Sequence, residues 1–222
     1  MKVLNIIGTR PNFIKIAPII EQMTLSPRIT YSLVHTGQHY DENMNQVFFD
    51  QLGIPNPDIN LGITGGTNIQ QISQIMESFE PVLIREKPQA ILVVGDVNST
   101  LACSMVAAHQ NVKVIHVEAG LRSFDLSMPE EINRMLTDKI SDLLFVTEES
   151  GMKNLAMEGI DSKKVHFVGN VMVDTLLKHK GFAEQISRIL DDLKLKSKKY
   201  ALITLHRPSN VDEKSILHDI LE

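Results

Sequence analysis

Apolar and polar positions along this chain fall into two alternating textures. The runs "VLNIIG", "ITYSLVHTG", "AILVVGD", "VKVIHVEAG", "DLLFVT" and "VHFVGN" are rich in Val, Ile and Leu and do not alternate in polarity. Runs of that kind suit strands covered on both faces of a parallel sheet. Between them stand amphipathic stretches of helical period: "FIKIAPIIEQM", "ENMNQVFFDQL", "STLACSMVAAH", "EEINRMLTDKIS" and "EESGMKNLAMEG". Strand and helix in strict alternation predict an α/β protein with a doubly wound parallel sheet. The longest irregular stretch is "GIPNPDINLGITGGT", from Gly53 to Thr67, a length at which loops often carry function.

The texture changes after Val168. "GNVMVDTLLKHK" and "FAEQISRILDDLKLK" read as helices, and "YALITLHRPSNVD" reads as a new strand, loop and helix start. The final "SILHDILE" lies inside an apolar helical pattern with no stop signal. A lone strand with part of a helix cannot cover its own faces. The expected organisation is a first domain over residues 1–169, linker helices over 170–198, and the beginning of a second domain over 199–222.

Composition narrows the classes. Of the 222 residues, 43% are hydrophobic and 22% charged, ordinary for a soluble globular protein. A formal charge of −5 gives no electrostatic reason to expect nucleic acid as a partner. The single cysteine, Cys103, excludes an internal disulfide and fits a reducing compartment. With no signal-like segment and no apolar run of membrane-spanning length, a cytoplasmic protein with no membrane partner is expected.

Ligands of open parallel sheets bind beyond the carboxyl ends of the strands. Those ends carry "GTRPNFIK", "HTGQHYD", "GDVNST", "EAGLRS" and, for the strand near the end of the chain, "HRPSN". In the first, Arg10 and Lys15 stand near a helix start, where free N–H groups and a cation suit a phosphate. Lys15 reads equally as a surface lysine. Asp96 reads as a helix cap or a site carboxylate. Glu118 reads as a site carboxylate or as the ion partner of Arg122. "SMPE", Ser127 to Glu130, fits a capping box, which would leave Glu130 without chemistry, whereas Glu131 reads as solvated. His116 lies within a strand and reads as core, while His206, beside Arg207 at a strand end, faces a ligand. There is no P-loop, no GxGxxG pattern and no metal-ligand spacing, so neither a cofactor nor a metal is expected.

In order along the chain stand "GTRP" with "IK", "TGQH", "GD", "HVEAGLRS", "PEE" with "NR", "VGN" with "VDTL", and "HR" with "NVD". Together they resemble the N-terminal part of a non-hydrolysing UDP-N-acetylglucosamine 2-epimerase. The resemblance implies a Rossmann-like domain forming the N-terminal half of a GT-B-type two-domain fold. It implies conversion of UDP-N-acetylglucosamine to UDP-N-acetylmannosamine, by elimination of UDP and re-addition through a 2-acetamidoglucal. Asp96, Glu118, Glu130 and His206 fall on its catalytic positions. Arg10, Lys15, Gln38, His39, Arg122 and Arg134 fall on its substrate-contacting positions. A UDP-sugar is the implied partner, and a homodimer the implied assembly of the full-length protein. Asn12, Val97 and Pro208 depart from the family pattern, which suits a related UDP-2-acetamido sugar such as a modified uronic acid. Alternative readings are a GT-B glycosyltransferase, a hydrolysing 2-epimerase, or a non-catalytic scaffold.

Overall fold

The computed structural model describes residues 1–37, 49–205 and 208–222. They divide into two compact units, Met1–Lys178 and His179–Glu222.

The first unit is built on a parallel sheet: β1 (Lys2–Ile7), β2 (Thr30–His35), β3 (Ile59–Asn60), β4 (Ala90–Val94), β5 (Lys113–Ala119), β6 (Leu143–Val146) and β7 (Val165–Phe167). The strands lie in the order β3-β2-β1-β4-β5-β6-β7, so the doubly wound Rossmann-like arrangement expected from the alternating pattern is present. The winding reverses between β1 and β4, which pair directly through Val3–Ala90, Leu4–Ile91 and Asn5–Leu92. Where two adjacent strands send their connections in opposite directions, a crevice opens at their carboxyl ends.

Period-two alternation splits the strand side chains between two cores. Val3, Ile7, Leu92, Val94, Ile115 and Val117 face one side. There α1 (Arg10–Leu25) presents Phe13, Ile16, Ala17, Ile20 and Met23, a helical stripe. Leu4, Ile6, Ile91, Val93 and Val114 face the other side. That core is closed by α2 (Asn68–Glu86), through Ile75, Phe79, Val82 and Leu83, and by α3 (Asn98–His109), through Ala102, Cys103, Val106 and Ala107. Two further helices, α4 (Pro129–Ile140) and α5 (Glu149–Met157), connect β5 to β6 and β6 to the 3-10 turn before β7. The helix α6 (Val171–Ile186) begins in this unit, where the Thr175 hydroxyl donates to the Ile14 carbonyl at 2.8 Å.

The pattern of apolar runs does not mark α2. Its start is marked by Thr67 and Gln70: the Gln70 backbone N–H donates to the Thr67 hydroxyl, and the Thr67 backbone N–H donates to the Gln70 side-chain Oε1 at 2.9 Å. This capping box is legible in "TNIQ". The second unit holds the end of α6 and three short helices, α7 (Ile189–Asp192), α8 (Pro208–Val211) and α9 (Lys214–Leu221). The strand expected at "YALITL" does not form: residues 200–205 carry no ladder, and Leu202 is 85% exposed. A strand exists only through hydrogen bonds to a neighbour, and none is offered to it among the described residues. No described helix is long and apolar enough to cross a membrane.

Candidate active site

The turns leaving β1 and β4 stand on either side of the winding reversal, and Asn12 ties them together. Its side-chain oxygen accepts the N–H groups of Gly8 and Thr9, both at 3.0 Å, and its amide donates to the Val94 carbonyl at 3.0 Å. A carboxylate at this position could accept the first two bonds but could not donate the third. One turn later on α1, the Lys15 side chain, only 11% exposed, reaches the Glu118 carboxylate and forms an ion pair. The reading of Lys15 as a surface residue is therefore corrected, and so is the pairing of Glu118 with Arg122.

Gly95, which follows β4, lies against this ion pair. It has φ +71°, and a Cβ there would fall 3.0 Å from Lys15 Nζ and 3.2 Å from Glu118 Oε2. Only glycine gives both the left-handed backbone and the room. The next residue, Asp96, pairs with Arg134 of α4. Asn133, beside Arg134, donates to the Asp96 carbonyl at 2.9 Å. The strand reading of "VIHVE" continues to Ala119, but the ladder to β6 shifts between Val117 and Ala119, and Glu118 has φ +74°. This bulge breaks the period-two alternation at Glu118 and re-aims the carboxylate. A left-handed backbone in a residue with a long side chain is sparsely populated and costs conformational energy that the surrounding structure must hold.

At the start of α4 the cap reading of Glu130 and the solvated reading of Glu131 are both corrected. The capping box over Ser127–Glu130 is not made: Met128 is the N-cap without a side-chain bond, and the Ser127 hydroxyl donates to Asp125 at 2.6 Å. Glu130 is exposed, four residues before Arg134 and on the same helix face. Glu131, expected in solvent, is 1% exposed. Its carboxylate accepts the Ser123 N–H at 2.9 Å, the Ser123 hydroxyl at 3.0 Å and the Phe124 N–H at 3.0 Å, and pairs with Arg134 at 3.2 Å. Burial, the largest influence, pushes this carboxyl up, but the donated bonds from Ser123 and Phe124 and the Arg134 charge outweigh it and hold it below the usual range. Glu131 thus stabilises the 123–124 turn, where Phe124 sits at φ +58°, and aims Arg134 at Asp96.

Behind the site lies a buried ionic cluster. Asp138 accepts from His116 Nδ1 at 2.7 Å, from the Gly120 N–H at 3.0 Å and from Arg122 Nη1 at 2.8 Å. The other His116 nitrogen faces the Gly95 carbonyl at 2.9 Å. Burial pushes the Asp138 carboxyl up, yet His116 and Arg122 outweigh it and hold it below its ordinary value. Arg122, expected among the substrate contacts, has a side chain 2% exposed and spends its fork on the protein. Beyond Asp138 it donates to Glu158 through Nε and Nη2, each at 2.7 Å, and to the Leu121 carbonyl at 2.7 Å. His116 is a core histidine, as its place within the strand implied, but a hydrogen-bonded one. The signal for Asp138 was absent from the linear pattern, because its partners lie 16 to 22 residues away.

Of the residues picked out in the sequence, Lys15, Asp96, Glu118 and Arg134 meet at the switch point, with Arg10 half-buried at the first turn of α1 and Glu130 at the first turn of α4. Gln38, His39 and His206 lie outside the described residues. A groove of about 770 Å³ elsewhere in the unit is lined by Met1, Val3, Leu92, Ile115, Leu143 and Phe145. Its lining is mostly apolar and contains none of Lys15, Asp96, Glu118 and Arg134, so it is not this site.

A doubly wound sheet with two carboxylate–cation pairs gathered at its switch point defines an α/β protein of the kind that takes its ligand at the carboxyl edge of the sheet. Residues 21–222 match the profile of the family described as UDP-N-acetylglucosamine 2-epimerase. A UDP-N-acetylglucosamine 2-epimerase homolog of Methanococcus maripaludis is 46% identical over all of this chain and 61% of its own length. The UDP-2,3-diacetamido-2,3-dideoxy-D-glucuronate 2-epimerase of Pseudomonas aeruginosa is 47% identical over all of this chain and 62% of its length. Among solved structures, the UDP-GlcNAc 2-epimerase of Methanocaldococcus jannaschii in complex with UDP-GlcNAc and UDP superposes with a TM-score of 0.90 at 45% identity, covering all of this chain and 61% of that one. The chain belongs to the UDP-N-acetylglucosamine 2-epimerase family. It spans about three fifths of the length of these relatives.

Proposed function

We propose that the protein carrying this chain inverts C2 of a UDP-2-acetamido sugar, interconverting UDP-N-acetylglucosamine and UDP-N-acetylmannosamine. The observation that carries the reading is the pairing of each switch-point carboxylate with its own cation, Glu118 with Lys15 and Asp96 with Arg134. Inversion at a carbon bearing an unactivated hydrogen needs one group to take the proton and another to return it on the opposite face. In the proposed sequence a carboxylate takes the C2 proton, the C1–O bond to UDP breaks with its electrons leaving on the diphosphate, and a C1–C2 double bond forms. Re-addition of UDP at C1 and protonation of C2 from the other side complete the change. Asp96, Glu118 and Glu130 are the candidate acid/base groups, and the resemblance adds His206, which lies outside the described residues. The N-terminus of α1 with Arg10, together with Arg134 and the Gln38–His39 segment, suits the charge that develops on the departing diphosphate.

The relative from Pseudomonas favours a second substrate, a UDP-2,3-diacetamido uronic acid, with the same chemistry at C2. We read residues 1–169 as the N-terminal domain of a GT-B-type pair, 170–198 as linker helices and 199–222 as the start of the second domain, in a cytoplasmic homodimer. The test is solvent-deuterium incorporation at C2 in the full-length protein, run with both UDP-sugars. Exchange with either supports elimination chemistry and identifies the substrate. Transfer of the sugar to an acceptor without exchange would instead make the protein a glycosyltransferase.

A further inference from the structure

Asp138 contacts neither Asp96 nor Glu118, yet its two carboxylate oxygens reach the backbone that carries each of them. Oδ2 accepts the Gly120 N–H at 3.0 Å, two residues after Glu118. Gly120 has φ +81°, and a Cβ there would fall 2.6 Å from the Gly151 carbonyl oxygen, so α5 presses the turn from the far side. Oδ1 receives His116 Nδ1 at 2.7 Å, and His116 Nε2 holds the Gly95 carbonyl at 2.9 Å, one residue before Asp96. The side chains of Asp138 and His116 are fully buried, and that of Arg122, the third donor to Asp138, is 2% exposed. The bulge that turns Glu118 into a left-handed backbone is thus clamped just beyond its strained residue, and the same carboxylate registers the Gly95–Asp96 turn against it.

We propose that Asp138 is the positioning residue of this site, fixing the Glu118 and Asp96 segments relative to one another through Gly120 and through His116. This rests on the epimerase reading above. Reacting groups displaced by about 1 Å lose roughly a hundredfold in rate even when binding persists. A carboxylate that merely stabilised the fold would change how much protein is folded, leaving turnover per folded site intact.

The experiment uses the full-length protein and measures UDP-sugar affinity, C2 deuterium exchange and turnover per UDP-binding site. Asp138→Ala is expected to lower exchange and turnover together by roughly a hundredfold, with the UDP-sugar Kd within about threefold of the parent. Asp138→Asn is expected to recover most of that loss. Its carbonyl can accept from Gly120 and Arg122 while its amide faces His116 Nδ1. His116→Phe, which cuts only the Gly95 arm, is expected to cost on the order of tenfold. Turnover per site within threefold of the parent in Asp138→Ala overturns the proposal, as does an Asp138→Asn variant no better than the alanine. If Asp138→Ala does not fold, unchanged exchange in folded His116→Phe overturns it instead. A parent protein that binds UDP-sugar but never exchanges C2 refutes the epimerase reading itself, a result distinct from the failure of Asp138 variants to differ from an active parent.

Discussion

Glu130 and Glu131 are neighbours in sequence with opposite surroundings, and separate assays should tell them apart. Glu131→Gln keeps the volume but supplies one acceptor oxygen and two donors where Ser123 and Phe124 offer three donors. One or two charge-assisted bonds are lost, along with the 3.2 Å pairing to Arg134. At about 1.5–3 kcal/mol for a hydrogen bond to a charged group, the cost is about 3 kcal/mol. For a protein of this size each kcal/mol shifts Tm by roughly 2–4 °C, so the melting temperature should fall by about 6–12 °C. Glu130 is exposed, and Glu130→Gln should change stability by less than about 0.5 kcal/mol, with Tm moving by less than about 2 °C. Turnover should reverse the order. Glu130→Gln is expected to lose about a hundredfold or more, as for removal of an acid/base group. Glu131→Gln should retain much of its activity well below its melting point. Calorimetric melts and turnover measured on the same preparations decide the matter. Equal Tm values for the two variants would refute the argument, because they would mean that the Glu131 bonds do not hold the turn.

Further predictions concern charge and space at the site. Glu118→Gln should abolish C2 deuterium exchange, and it leaves Lys15 facing an uncharged partner. Detectable exchange in that variant at parental rate would remove Glu118 from the chemistry. Gly95→Ala should inactivate the protein, since its Cβ would lie 3.0 Å from Lys15 Nζ on a backbone at φ +71°. A parental rate in Gly95→Ala would show that this ion pair can move freely. His35 provides a pH signature. Burial, only partly opposed by the Asn60 hydrogen bond, pushes its pKa from 6.5 down to about 4. The unfolded chain takes up the proton below pH 6.5 and the folded one does not until about pH 4. Stability from this group is therefore full above that window and declines through it by roughly 3 kcal/mol. Denaturant titrations of His35→Gln against the parent should show a flatter pH dependence over the same range, and identical slopes would contradict the burial argument.

The layered arrangement was legible because burial on both faces of a sheet imposes a local pattern. "AILVV" and "VKVIHV" could read as little else, and each became a central strand. Strand-end positions follow from the same logic, which puts Lys15, Asp96 and Glu118 at the carboxyl edge of the sheet, where the two ion pairs form. The helix α2 does not stand out in the apolar pattern although Thr67 and Gln70 mark its start, because its stripe of Ile75, Phe79, Val82 and Leu83 is diluted by polar residues. "YALITL" reads as a strand from its residues, but a strand also needs a partner, which residue order alone does not supply.

What residue order determined, then, was the class of fold and the edge of the sheet where chemistry gathers, since both follow from periodicity and chain direction. Pairing was decided only in three dimensions. Glu118 took Lys15 from 103 residues away rather than the nearby Arg122, and Arg122 turned to Asp138 and Glu158. Glu131 went inward and Glu130 outward. Ion pairs and buried hydrogen bonds depend on distance and exclusion of water, and the bulge at Glu118 and the turn at Gly95 set both.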